Sequence, residues 1–331
     1  MPEKLLSPFK ESLLGPAFAF ERKSLELFRF QAGNNAVYQK YIKFLKVEPE
    51  RVQSIENIPF LPVEFYKYHS ISSANQPPET VFESSGTTAQ TRSRHYVHDT
   101  GFYRKVARRI FGQAYGPLTD YHVVALLPSY TERSGSSLVY MVADFIRESG
   151  SPESGFFLED RQKLVETIEK LRKGSRKVLL IGVTFALLDL AEDFGGRDWH
   201  NVIVMETGGM KGRRKELLRE EVHQILKRAF NLPAVHSEYG MTEMLSQAYS
   251  TGNGVFQMPA TLRILIRDIN DPFSIGNRQR SGGVNIIDLA NADSCAFIET
   301  KDIGMVAANG TFQILGRFDN SDVRGCNLLV G

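Results

Sequence analysis

Residues 178–207, VLLIGVTFALLDLAEDFGGRDWHNVIVMET, contain two apolar runs separated by a segment that mixes apolar residues with polar and charged ones. The runs at 178–181 and 202–205 are typical of strands buried inside a protein, and residues 185–191 between them predict a helix. Because strands joined by single helices need crossover connections, this unit predicts a parallel or mixed sheet flanked by helices.

The same alternation extends on both sides of this unit. Further strands are predicted at 81–82, 122–127 and 234–237, and a long helix at 214–230. Three other helices are expected to start at residues whose side chains can accept a hydrogen bond from a free backbone N–H, namely Asp99, Ser134 and Asp160.

The pattern changes after Tyr249, where short strands separated by turns replace the helices. These strands are predicted at 262–266, 284–288, 296–299, 305–306 and 312–315. We therefore expect an α/β core at 1–316 with a β-rich subdomain from about residue 250, followed by a tail at 317–331.

Composition excludes several classes of protein. The chain has 331 residues, 42% of them hydrophobic, and its 40 basic and 38 acidic residues leave a net charge of +2, so a generally basic nucleic-acid-binding protein is not expected. Two cysteines, Cys295 and Cys326, form no disulfide framework and indicate a reducing compartment. The N-terminus does not resemble a signal peptide, and the longest apolar run, 178–188, is too short to cross a bilayer. A cytoplasmic protein is expected.

A loop of small hydroxyl residues follows the strand predicted at 81–82. Its sequence, Ser84-Ser85-Gly86-Thr87-Thr88, can direct backbone N–H groups and hydroxyls at phosphate oxygens, and Gly86 permits close approach. Arg92 and Arg94 come soon after it and can neutralise phosphate charge. The alternative interpretation of this segment is an ordinary polar turn.

A second motif, residues 237–243 with the sequence SEYGMTE, follows a predicted buried strand. Ligands of open α/β sheets bind beyond the carboxyl ends of strands. There Tyr239 can stack on a base, Thr242 can donate to a phosphate, and Glu243 can bind Mg²⁺ among phosphates. The alternative is a strand-to-helix turn in which Thr242 caps the helix.

Two further motifs lie near the C-terminus. In Thr300-Lys301-Asp302-Ile303-Gly304, Asp302 is predicted to lie on a short β-turn, where an Asp is usually structural. In Gly316-Arg317-Phe318-Asp319, Arg317 is interpreted as an anion contact or a surface salt bridge. Cys326 follows Arg324 and Gly325 in the tail, a cationic setting that can lower the pKa of a thiol.

The order of these four motifs resembles the adenylate-forming superfamily of acyl-CoA synthetases, phenylacetate–CoA ligases and peptide-synthetase adenylation domains. The segments IPFLPVEFYK at 58–67, LPSYTERSGSSLVYMV at 127–142 and RGCNLL at 324–329 are similar to the LuxE-like acyl-protein synthetases. The resemblance implies the superfamily's large-domain fold, with mixed sheets flanked by helices and a C-terminal β-rich subdomain. It also implies a chain without the mobile C-terminal lid of most members.

The resemblance also implies ATP and Mg²⁺ as cofactors and a role for each matching residue. The phosphates would contact Ser84, Ser85, Gly86, Thr87 and Thr88, with Thr242 at the α-phosphate and Glu243 on Mg²⁺. Adenine would lie against Tyr239, Gly208, Gly209 and Gly240, and the ribose or phosphate against Asp302 and Arg317. Phe185 and Met241 would line the acyl pocket, and Cys326 would accept the acyl group.

The activity implied is ATP-dependent conversion of a carboxylic acid, expected to be a fatty acid, to an acyl-adenylate. The acyl group would then form a thioester with Cys326 for a partner reductase or transferase. Two alternatives are direct delivery to CoA, a carrier protein or another metabolite, and a non-catalytic nucleotide-binding scaffold. The phosphate loop lacks the lysine of many relatives, which favours the scaffold unless Arg92 or Arg94 replaces it, and Lys301 stands where glycine is usual. The Thr242–Glu243 pair and Asp302 favour an enzyme.

Overall fold

A computed structural model of the protein describes residues 6–84, 91–128, 135–208, 217–275 and 281–318. The strands in these ranges are β1 (Leu61–Pro62), β2 (Thr80–Glu83), β3 (Arg94–Val97), β4 (Tyr121–Leu126), β5 (Gly155–Phe156), β6 (Lys177–Val183), β7 (Val202–Thr207), β8 (His236–Tyr239), β9 (Ala248–Ser250), β10 (Leu262–Arg267), β11 (Gly282–Asp288), β12 (Phe297–Val306) and β13 (Phe312–Arg317). The helices are α1 (Leu6–Leu13), α2 (Phe20–Asn34), α3 (Ala36–Phe44), α4 (Phe65–Tyr68), α5 (Thr100–Tyr115), α6 (Ser137–Ser149), α7 (Arg161–Leu171), α8 (Thr184–Phe194) and α9 (Arg219–Phe230).

The first sheet has the strand order β5-β4-β6-β7-β8-β9. All neighbouring pairs are parallel except β8 and β9, which are antiparallel. Helices α6 to α9 connect successive parallel strands, and every residue of β6 after Lys177 is buried because helices cover the sheet. The α/β class and the mixed sheet predicted from 178–207 are confirmed.

The second sheet contains β1, β12, β11 and β10 in that order, and β13 also pairs with β12. It confirms the predicted β-rich region, but the strands predicted at 296–299 and 305–306 are one strand, β12. Asp302 is therefore inside a strand, opposite Arg317, and its prediction as a turn residue was wrong. A register shift between Ile303 and Gly304 interrupts the regular pattern there.

Strands β2 and β3 form a separate antiparallel hairpin, in which Glu83 lies opposite Arg94. Most of the predicted phosphate loop, residues 85–90, lies outside the described residues between these two strands. The hairpin therefore determines where the loop starts and ends.

Several predicted helix boundaries differ from the observed ones. Asp99 and Asp160 cap α5 and α7 as predicted, accepting hydrogen bonds from backbone N–H groups. Ser134 lies outside the described residues, and Ser136 caps α6. The helix predicted at 214–230 begins, within the described chain, at Arg219.

Gln31 of α2 connects the N-terminal helices to a loop of the second subdomain. Its side-chain amide donates to the carbonyls of Asn291 (2.8 Å) and Ala292 (3.1 Å), and its carbonyl accepts from the Ala296 N–H (2.9 Å). Asn291 in turn donates to the backbone carbonyl of Glu243 at 2.7 Å. The N-terminal helices thus support the turn that carries Glu243.

We expect Gln31→Ala to lower the free energy of unfolding by about 2–3 kcal/mol, because the Ala292 carbonyl and the Ala296 N–H lose their Gln31 partner and the Asn291 carbonyl keeps only the Ser294 N–H. Urea unfolding measures this change. Gln53→Ala is the matched control, since the Gln53 side chain bonds to Glu50 O at the surface. Its effect should stay within about 0.5 kcal/mol. Equal effects of the two substitutions would contradict the role of Gln31.

Candidate active site

Three parts of the fold meet beyond the carboxyl end of β8. They are the turn at residues 240–243, the hairpin β2–β3, and the paired strands β12 and β13. Among the described residues no helix follows the turn, which leads into β9, so the interpretation of Thr242 as a helix cap was wrong.

The Asp302 carboxylate binds two of the predicted site residues. The Tyr239 hydroxyl donates to its Oδ2 at 2.7 Å, and Arg317 Nε donates to its Oδ1 at 3.1 Å. The Tyr239 ring is buried against Phe256 and Phe312, with centroid distances of 5.9 and 5.7 Å. Burial, and after it the Asp302 charge, raises the pKa of Tyr239, so the hydroxyl stays protonated as the donor.

Glu243 is a buried carboxylate, 5% exposed. Burial raises its pKa, the Ser93 side chain lowers it by hydrogen bonding, and the charges of Arg317 and Asp302 also act on it. Ser93 directly precedes β3, so the hairpin reaches the turn at this carboxylate.

His95 of β3 is a second link between the hairpin and the turn. Its Nδ1 donates to the backbone carbonyl of Thr242 at 2.8 Å, and the ring is 1% exposed. Burial lowers the pKa of His95 to about 4, so the imidazole is neutral near pH 7. These two links hold the start of β3 beside Thr242 and Glu243.

Two glycines of the site have close surroundings or an unusual backbone conformation. A Cβ at Gly240 would lie 2.5 Å from Glu238 Oε1, so a larger residue there would displace the Glu238 carboxylate. Gly208 has a φ of +68°, which side chains rarely adopt, and its carbonyl accepts a hydrogen bond from Thr184 Oγ1 at 3.0 Å. Gly208 directly follows the carboxyl end of β7, and Gly240 directly follows that of the adjacent strand β8.

The structure describes only some of the other predicted site residues. Ser84 accepts a hydrogen bond from Ser93 N at 3.0 Å, at the base of the loop. Phe185 packs on the core of the first sheet and Met241 on the cluster around Tyr239, so the structure does not bring them together in one apolar cluster. The remaining predicted residues lie outside the described ranges: Ser85, Gly86, Thr87, Thr88, Gly209 and Cys326.

Arg92 and Arg94 border the phosphate loop. Arg92 Nη1 lies 3.4 Å from the Glu83 carboxylate, in an exposed pair, and Arg94 is exposed. That one of these arginines takes the place of the phosphate-loop lysine found in many relatives stays a prediction.

Sequence reasoning missed Asp288, which shapes the segment after the turn. This buried carboxylate accepts hydrogen bonds from the backbone N–H groups of Leu245 (2.8 Å) and Ser246 (3.0 Å) and from the Ser246 hydroxyl (2.6 Å). The sequence offers one signal for Asp288, which is an acidic residue at the end of an apolar run. A carboxylate in such a position is buried only when it has hydrogen-bonding partners. Ser93 and His95 gave no comparable signal.

The donor set fits a magnesium–nucleotide ligand. Mg²⁺ is usually held by one or two carboxylates together with phosphate oxygens rather than by an all-protein cage. Glu243 supplies one buried carboxylate, and in the described part of the chain no group of three or more His, Cys, Asp or Glu residues is arranged for a metal.

None of the described helices is long and apolar enough to cross a membrane.

Comparisons with known proteins give one sequence relative and several structural ones. No family model matches the sequence. Luciferin 4-monooxygenase of Nipponoluciola cruciata is 27% identical over 127 residues, which are 37% of this chain and 22% of the luciferase. The match thus spans about a fifth of the length of that relative.

Two solved structures show which fold this is. MatB from Rhodopseudomonas palustris, solved with bound ATP, superposes with a TM-score of 0.53 and 15% identity over 72% of this chain and 47% of MatB. A 2-hydroxyisobutyryl-CoA ligase in complex with 2-HIB-AMP and CoA gives a TM-score of 0.65 and 13% identity over 90% of this chain and 74% of the ligase. The chain has the α/β fold of these adenylate-forming, acyl-CoA ligase-like enzymes.

The buried neutral histidine predicts a pH dependence of stability. Its folded pKa of about 4 lies below the ordinary value of 6.5, so the unfolded chain binds more protons between these values. Stability contributed by neutral His95 is present above pH 6.5 and is lost as the pH falls towards 4. We expect the loss between pH 7.5 and 4.5 to be smaller by about 2–3 kcal/mol in His95→Gln than in the unmodified protein.

Urea unfolding at the two pH values measures this difference. His69→Gln is the control, because the His69 side chain is exposed and forms no ion pair within the described ranges, so the variant should lose stability with acid as the unmodified protein does. The same acid-induced loss in His95→Gln and in the unmodified protein would show that His95 is not held neutral by burial.

Proposed function

We propose that this protein activates a carboxylic acid with ATP, producing an acyl-adenylate and pyrophosphate. The observation that carries the proposal is the convergence of Tyr239, Asp302, Arg317 and Glu243 at one edge of this fold. The fold itself supports it, since related structures contain ATP or an acyl-AMP.

Each residue has a distinct role in the proposed reaction. A carboxylate oxygen of the acid attacks the α-phosphorus, the bond to pyrophosphate breaks, and Thr242 is positioned to donate to the α-phosphate. Asp302 accepts hydrogen bonds from the ribose, and Arg317 contacts ribose or phosphate. Glu243 would hold Mg²⁺ together with phosphate oxygens, and the metal would supply positive charge where negative charge develops.

The LuxE-like resemblance adds a second step to the proposal. The Cys326 thiolate attacks the acyl carbonyl of the adenylate, AMP leaves, and the acyl group becomes a thioester that a partner enzyme takes over. The alternative is direct transfer to CoA, which the related ligase with bound CoA favours. The two paths differ in where the acyl group is found after adenylation.

Glu243→Gln is expected to abolish adenylation without unfolding the protein. The amide keeps the shape of the side chain but removes the charge that binds Mg²⁺, so the rate should fall by at least a hundredfold. ATP–pyrophosphate exchange with a panel of acids measures the rate. Glu166→Gln, on the exposed side of α7, is the matched control and should exchange normally. Exchange by Glu243→Gln within about twofold of the control would exclude the assigned role.

Cys326→Ser should retain pyrophosphate exchange but lose stable acylation of the protein. Cys295→Ser is the control and should keep both activities, because Cys295 is fully buried and burial raises its pKa to about 12. A thiol that remains protonated is a poor nucleophile. Mass spectrometry after incubation with ATP, Mg²⁺ and acid detects the adduct. An adduct that persists in Cys326→Ser, or a CoA thioester formed by the unmodified protein without any adduct, would refute acylation of Cys326.

A further inference from the structure

Glu238 and Gln247 form a buried polar pair that the proposed chemistry leaves unused. They are 7% and 3% exposed, on strand β8 and just before strand β9. In the antiparallel pairing Glu238 lies opposite Tyr249, so Glu238, Gly240, Gln247 and Tyr249 share one face of the sheet. Glu238 Oε1 lies 2.5 Å, and the Gln247 Cβ 3.8 Å, from the position that a Cβ of Gly240 would take, so both side chains lie over the Gly240 backbone.

Both side chains present hydrogen-bond acceptors without enough donors. Glu238 accepts one hydrogen bond, from the Thr207 hydroxyl, and within the described ranges no cationic side chain forms an ion pair with it. Gln247 uses its amide N–H groups on Ala107 O (2.9 Å) and Tyr249 Oη (3.3 Å), while its buried Oε1 has no partner among the described residues. An amide oxygen without a described donor, close to a carboxylate with a single one, fits a ligand that donates several hydrogen bonds.

The adjacent strand shows how this fold neutralises a carboxylate that needs no ligand. Glu206 of β7 is buried to the same degree, and Arg219 Nε and His223 Nε2 lie 3.1 and 3.6 Å from its Oε1. Accordingly its pKa is lowered, whereas burial raises the pKa of Glu238 to about 7. Among the residues that the structure describes, Glu238 therefore lacks the counter-charge that Glu206 has.

The pair lies on the face of β8 opposite to the one assigned to the nucleotide. Tyr239, assigned to adenine, points to the opposite face of β8, towards the second sheet. Gly240 lies two residues before Thr242, a distance of at most about 7 Å along the chain. A group that donates to Glu238 Oε1 next to Gly240 is therefore only a few bonds from a carboxylate that reacts beside Thr242.

We propose that Glu238 and Gln247 bind the ammonium group of the acid, so that the substrate is an α- or β-amino acid rather than a fatty acid. This inference rests on the proposed function, since it names the class of acid that the same site activates. The ammonium N–H groups donate to Glu238 Oε1 and Gln247 Oε1 and supply the missing positive charge. A plain aliphatic acid would leave both acceptors without partners.

The test is ATP–pyrophosphate exchange with matched acids of one size: L-alanine and β-alanine, lactate, and propionate. We expect kcat/KM for one of the two amino acids to exceed that for propionate and for lactate by at least a hundredfold. Glu238→Gln, which keeps an acceptor for Thr207, should lose this preference mainly through KM while propionate is unaffected. Glu220→Gln, on the exposed face of α9, is the control and should keep the preference.

Equal use of propionate, a preference for lactate, or a uniform effect of Glu238→Gln on every acid would overturn the ammonium site. Calorimetric titration of the amino acids without ATP separates this failure from failure of the proposed function. If no acid supports exchange, adenylation is refuted, and the site is then decided by binding alone. Binding of an amino acid that Glu238→Gln abolishes would support the ammonium site, and absence of binding to the unmodified protein would refute it.

Discussion

The alternation of side chains along β8 is the constraint on which the site depends. Consecutive residues of a strand point to opposite faces, so Glu238 and Tyr239 cannot enter the same space. Tyr239 packs with Phe256 and Phe312 of the second subdomain and bonds to Asp302, whereas Glu238 bonds to Thr207 on the face that Gln247 shares. One strand thereby separates the proposed nucleotide side from the proposed acid side, and the turn at 240–243 joins them.

The buried carboxylates of this region differ in the hydrogen-bond donors and positive charges that surround them. Asp288 is surrounded by N–H and hydroxyl donors, and Glu206 faces Arg219 and His223. Glu243 has the Ser93 side chain as a partner and Glu238 the Thr207 hydroxyl, so burial raises the pKa of each. A buried carboxylate without a nearby cation is costly unless a ligand completes it. Burial also raises the pKa of Asp288, so the number of described donors, and not the direction of the pKa shift, separates Asp288 from Glu243 and Glu238.

The sequence supported a correct prediction of the sheet–helix alternation and of the β-rich region, because apolar periodicity reflects which faces are buried. It failed at Asp302, where the pattern of a turn concealed one continuous strand with a register shift. Phe185 and Met241, predicted to line one acyl pocket, pack on different hydrophobic clusters, and their pocket stays a prediction. Residues far apart in sequence that meet across sheets leave no periodic signal.

What the sequence determined by itself was the class of fold and the order of the motifs, since both depend on local composition and spacing. The tertiary structure alone decided that Asp302 bonds to Tyr239 and Arg317, and that Ser93 and His95 reach the turn at Thr242 and Glu243. It alone showed that Glu206 has a counter-charge where Glu238 has none in the described part of the chain. The physical reason is that charge compensation in a buried site comes from partners on other strands and helices, whose proximity is set by packing and not by neighbours along the chain.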